Sequence, residues 1–195
     1  MPTSDASKKT DPRKSWSPVV VVLLLSAFFG YAILPYFSRH LAPTDRLVGT
    51  PAPDFSLPVF HGGEDTNRMS LSALLGNVVV LDFWASWCKP CVAQSRILSQ
   101  IAPQYAAKKV VFVGINTADN PQNAQRFASS HDLPYPTVLD TGEVAGAYGA
   151  GSLPTLVVIS PQGIISSVTV GVMGAAEIAA AIDEASAIQA PAPPS

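Results

Sequence analysis

The chain reads as an α/β domain, a mixed central β-sheet flanked by helices, preceded by a single N-terminal transmembrane helix. Short apolar runs rich in β-branched residues at Val78–Trp84 and Val110–Ile115 have the character of strands buried on both faces. Stretches with apolar residues at helical spacing alternate with those runs, which places helices against the faces of a sheet. Ahead of both, Ser15 to Ser38 carries no charged residue, enough for a hydrocarbon core that needs roughly 20 apolar residues.

The elements follow in order. Residues 1–17 are polar and charged and read as a cytoplasmic, disordered segment, and 18–37 as the membrane anchor. Lys8, Lys9, Arg13 and Lys14 precede the anchor while Arg39 and Arg46 follow it. That bias keeps the N-terminus in the cytoplasm and sends the rest across the membrane. Trp16, Tyr31 and Tyr36 suit the interfaces. A cleaved leader is the rival reading, with Gly30-Tyr31-Ala32 as a loose cleavage site, but Ile33 and Leu34 continue the apolar run past it. The remainder is exported either way.

Residues 38–48 form a tether, 49–188 the folded domain and 189–195 a disordered Pro-rich tail. Within the domain, Pro51–Leu57 is extended, His61–Asp65 a turn, and Ser70–Gly76 a short helix stopped by glycine. The buried strand 78–84 leads into a helix with Val92, Leu98, Ile101 and Tyr105 on its apolar side. Polar Gln94, Ser95, Arg96, Ser99 and Gln100 lie between them, and Pro103 ends the regular helix. After strand 110–115, Asp119 or Asn120 caps a helix from Pro121 carrying Ala124, Phe127 and Ala128. Thr137–Leu139 is extended and Val144–Tyr148 a helical turn. Thr155–Ile159 and Ile164–Val170 form a hairpin about Ser160–Gly163, and Ala175–Ile188 is the last helix.

Chemistry concentrates in Trp87-Cys88-Lys89-Pro90-Cys91, which holds the chain's two cysteines. A bridge across so short a loop stabilises by about 2 kcal/mol, against about 4 kcal/mol across several dozen residues. The pair therefore reads as redox-active rather than structural. Cys88 stands where a strand feeds a helix, and unpaired N–H groups and the helix dipole there favour the thiolate, the nucleophilic form. Lys89 adds a positive charge, and Pro90 fits the first turn, where its missing N–H costs nothing. A formal net charge of -2 and the lack of a basic, aromatic-interleaved stripe argue against nucleic acid. A metal site would need a histidine beside the cysteines; His40, His61 and His131 lack ligand spacing and read as solvated. No metal or cofactor is expected beyond the Cys88–Cys91 disulfide itself.

Strand, W-C-x-x-C, helix, crossover strand and proline-led hairpin together resemble the thioredoxin superfamily. Within it the chain is similar to membrane-anchored TlpA/ResA-type thiol–disulfide oxidoreductases of the bacterial periplasm. The resemblance spans 49–188 and rests on Gly49–Phe55, Leu71-Ser72-Ala73-Leu74, Phe83–Cys91 and Leu153-Pro154-Thr155. It implies a cis Pro154 beside the cysteines, with the Leu153 backbone free to bind an extended substrate. It also implies that Asp82, six residues before Cys88, is a buried acid of raised pKa that moves protons at Cys91. Cys88 is then the exposed nucleophile, Cys91 the resolving thiol, and Trp87 with Pro154 an apolar docking patch. Two positions depart from the family. Where many members carry glutamate and, two residues on, proline, this chain has Gln94 and Arg96.

The implied activity is reduction of protein disulfides in the periplasm, with electrons from a membrane thiol donor, for example in cytochrome c biogenesis or copper-site assembly. Run in reverse, the same atoms would make an oxidant or isomerase. A peroxidase is disfavoured because the proline and threonine its motif needs are replaced by Leu81 and Ala85. A copper-binding metallochaperone and a purely structural tethered domain are remoter alternatives.

Overall fold

The computed structural model describes residues 18–39, 46–62 and 68–188, with the side chains of 29–39 excepted. The expectations for segment 1–17, for most of the tether and His40, for Trp16, Tyr31 and Tyr36, for the Gly63–Asp65 half of the turn and for the tail 189–195 lie outside those residues. The chain divides between residues 41 and 42 into two units. The first holds helix α1 (Pro18–Arg39), along which Val19 to Leu25 and Phe28 are exposed. Among the described residues, no helix is long and apolar enough to cross a membrane.

Among its described residues the second unit is built on seven strands in the order β2-β1-β5-β4-β3-β6-β7. They are β1 (Ser56–His61), β2 (Arg68–Ser70), β3 (Val78–Trp84), β4 (Val110–Thr117), β5 (Thr137–Asp140), β6 (Thr155–Ile159) and β7 (Ile165–Val170). β3 pairs parallel with β4 and antiparallel with β6, so the sheet is mixed about its centre. All seven β3 residues are buried, the six apolar ones and Asp82 among them.

Side-chain alternation along β3 separates two cores. Val78, Val80 and Trp84 join the core under α2 (Lys89–Ile101), α3 (Pro121–Ser130) and α5 (Ala175–Ala187). Val79, Leu81 and Phe83 join the other, with Phe55, Leu71, and Ala145 and Tyr148 at the short helix α4 (Glu143–Ala147) and its end. Asp82 shares the parity of Val80 and Trp84. It is therefore a carboxylate on the face that also receives Cys88 and Cys91.

Several local expectations are corrected. The helix expected over 70–76 is a 3-10 turn, Ser72–Leu74, preceded by a strand. Gly76, at φ +90, donates to Pro161 O and turns the chain into β3. His61 lies in β1, paired with Thr137, because β5 offers its backbone partners that no local signal announces. Neither described histidine is simply solvated. A ring nitrogen of His61 meets Leu133 O at 3.0 Å, and one of His131 meets Phe127 O at 2.9 Å. Pro103 does mark the end of the regular helix, as expected: α2 stops at Ile101 and Pro103 falls in the 3-10 turn that follows. Of the two expected cap candidates Asn120 caps α3, its Oδ1 accepting from Gln122 N and Asn123 N.

Candidate active site

Cys88 and Cys91 form a disulfide with Cα atoms 5.3 Å apart. Cys88, in extended conformation, is the N-cap of α2, and its Sγ accepts from Cys91 N at 3.3 Å. Pro90 occupies the first turn, Lys89 is exposed beside it, and that turn holds no acidic residue. The helix terminus thus points its free N–H groups and positive dipole end at sulfur, unopposed by an acid in the turn.

The expectation of an exposed Cys88 is corrected: it is 4% exposed in the disulfide, and Cys91 is 1%. Sγ folds back over the first turn, and both cysteines pack into the core with Trp84, Ala85 and Leu156. The exposed neighbour is Trp87, at 62%.

Asp82 is buried in mid-strand, facing the same core. Its Oδ2 accepts from Tyr135 Oη at 3.2 Å, and its Oδ1 has no partner among the described residues. Burial pushes its pKa up to about 7, and the Tyr135 hydrogen bond only partly opposes this. Tyr135 is itself pushed well above its ordinary range by burial and by the Asp82 carboxylate. An acid that titrates near neutrality can take and return a proton at physiological pH.

The Leu153–Pro154 bond is cis, as the resemblance implies. Phe83 pairs with Thr155, so Trp84 and Pro154 flank that pair at the sheet end from which Cys88 follows. Pro154 is buried, and its carbonyl accepts from Gly171 N at 2.8 Å. Leu153 is half-buried and packs against both cores.

Three contributions go beyond the sequence reading. Tyr135 is one. Gln94 is another: expected among the polar residues between the apolar positions of α2, it is fully buried. Its Oε1 accepts from Met173 N at 2.7 Å and its Nε2 donates to Met173 O at 3.5 Å. The amide so ties α2 to the segment that holds Pro154 through Gly171, and a carboxylate there could not make both bonds. The third is Asp119, whose carboxylate binds the Ser86 backbone and hydroxyl just ahead of Cys88. Burial would raise its pKa, but donors from Asn116, Ser86 and Asn120 prevail and hold it below the usual carboxylate value. Its sequence signal is the Asp119-Asn120 pair ahead of Pro121, which by itself points only to a helix cap. Among the described residues no group of three or more histidine, cysteine, aspartate or glutamate side chains is placed to hold a metal.

Residues 48–168 match the AhpC/TSA family. The thiol-disulfide oxidoreductase ResA of Geobacillus thermodenitrificans is 34% identical over 155 residues, covering 79% of this chain and 86% of the relative. The thioredoxin-like protein YneN of Bacillus subtilis is 30% identical, covering 87% of this chain and 98% of that protein. Among solved structures, a putative thiol:disulfide interchange protein DsbE from Chlorobium tepidum superposes with a TM-score of 0.64. That structure is 31% identical, with 71% of this chain and 96% of the other covered. The fold is thioredoxin-like.

Proposed function

This chain belongs to the AhpC/TSA family and is a thiol–disulfide oxidoreductase of ResA/DsbE type; on that premise we propose that it reduces protein disulfides in the bacterial periplasm, tethered to the inner membrane by residues 18–37. The observation that carries the chemistry is Cys88 capping α2 with the buried Asp82 carboxylate on the same face of the sheet.

In the reduced protein, Cys88 thiolate attacks one sulfur of a substrate disulfide. The substrate S–S bond breaks, a mixed disulfide forms, and the departing substrate thiolate is protonated. Cys91 then gives its proton to Asp82 and attacks Cys88 Sγ. The mixed disulfide breaks, the second substrate thiolate leaves and takes up a proton, and Cys88–Cys91 is oxidised. Two electrons move from the dithiol to the substrate, and a thiol donor in the membrane restores them. Trp87 and Leu153 form the docking surface; Pro154, expected in that patch, is buried and acts by setting the Leu153 backbone, while Lys89 and Pro90 tune the first turn around Cys88. The long uncharged stretch Ser15–Ser38 and the excess of lysine and arginine before it support the anchor and its orientation. Apocytochromes and copper-site proteins, which must present reduced cysteines, are the substrate classes that fit such a reductase.

Reduction of insulin by the full chain in detergent, with dithiothreitol as electron source, tests the reading. Wild type is expected to accelerate it and Cys88→Ser to leave only the background rate. Equal rates for the two would overturn it.

A further inference from the structure

The turn that delivers Cys88 is gripped from outside by a carboxylate that the exchange steps do not use. Asp119 Oδ2 accepts from Ser86 N at 2.5 Å and from Asn116 Nδ2 at 2.9 Å. Its Oδ1 accepts from Ser86 Oγ at 2.8 Å and from Asn120 N at 2.7 Å. All four partners donate, so an ionised carboxylate is the group that fits. An asparagine would turn an NH2 toward two of them.

The preceding residue grips the next one along. Ala118 O accepts from Trp87 Nε1 at 3.1 Å, with Ala118 held at φ 50. A residue with a Cβ enters that left-handed region at a cost and stays where its surroundings over-determine it. Here two consecutive residues of one turn hold two consecutive residues of the other. The ring so fixed is also the exposed one. It walls a groove of about 500 Å³ shared with Ala118 and Leu153, and borders an open surface depression shared with Arg126 and Phe127. A large aromatic surface already locked by its polar tip loses less freedom when a partner lies on it.

We propose that Asp119 is a positioning residue for substrate choice: by clamping Ser86 it fixes Trp87 as an apolar wall beside Cys88, against which a polypeptide disulfide docks and a small disulfide does not. The inference rests on the exchange chemistry above and deepens it.

The test compares kcat and KM of the full chain in detergent for insulin and for glutathione disulfide, in wild type, Asp119→Asn, Ser86→Ala, Trp87→Ala and the 119/87 double variant. Asp119→Asn is expected to lower kcat/KM for insulin about fivefold more than for glutathione disulfide, mainly through KM, the size of one lost ordinary hydrogen bond. Ser86→Ala, which removes one hydroxyl and keeps the backbone donor, shifts the ratio the same way by about twofold. That milder variant keeps the test open if Asp119→Asn folds poorly. With Trp87 already removed, Asp119→Asn should change the ratio little. Equal losses on both substrates, or an effect that persists without Trp87, would overturn the proposal while leaving the exchange reading intact. A wild type inactive on both substrates would overturn both.

Discussion

Asp82 and Asp119 are two carboxylates that the fold sets around the same disulfide, and the protein treats them oppositely. Asp82 lies under the site, inside the sheet, with one tyrosine hydroxyl for two oxygens and a pKa near 7. Asp119 lies beside the site in a half-exposed turn, with two donors on each oxygen and a lowered pKa. Both feel desolvation; what separates them is the supply of donors. A starved carboxylate becomes a proton carrier, and a saturated one becomes a fixed charge that holds a loop.

The largest effect expected from breaking that contrast is on stability. Asp82 is raised in the folded state, so folding favours its protonated form. The oxidised protein is therefore most stable, as far as this group is concerned, below its unfolded pKa of about 4, and loses stability as pH rises toward 7. A shift of that size is worth about 4 kcal/mol, fully lost above pH 7. Asp82→Asn, neutral throughout, should flatten the pH dependence and stand above wild type in denaturant melts at pH 8. Parallel curves for the two would mean that Asp82 is charged in the fold.

Next in size is the rate. Removing the proton carrier should slow resolution of the mixed disulfide about 100-fold at pH 7. Rapid-quench trapping with wild type and Asp82→Asn would show mixed disulfide accumulating in the variant. Unaltered resolution would reduce Asp82 to a structural residue.

The smallest effect sharpens the other half of the comparison. Asp119 is lowered on folding, so its stabilisation is present above the unfolded pKa near 4 and fades as pH falls through the folded value. Asp119→Asn should cost about 1 kcal/mol at pH 7, a figure kept small by solvent screening, and less at pH 2. Melting curves at the two pH values decide it. A cost that persists undiminished in acid would place the effect in shape rather than charge.

The two carboxylates also show how far the sequence carried. Buried strand, W-C-x-x-C and helix were legible because each is a local pattern. The burial of Asp82 came with the family resemblance, which places a buried acid six residues before the first cysteine. Its partner did not, since Tyr135 lies 53 positions away. The Ser86–Asp119 clamp spans 33 positions and the Gln94–Met173 tie spans 79. Such pairings exist only once the strands are in register, and no propensity of Gln94 or Asp119 announces them. Gln94 shows the limit most plainly, because a polar residue was assigned to a polar face while the fold needed its amide inside. His61 failed for the same reason, its strand being completed by a distant β5.

The most direct test of the central claim is the reduction potential of Cys88–Cys91 in the full chain, equilibrated against glutathione in detergent. A reductase is predicted to fall near or below the thioredoxin end of the scale, about -270 mV. A value near the DsbA end, about -120 mV, would contradict it and make the protein an oxidant.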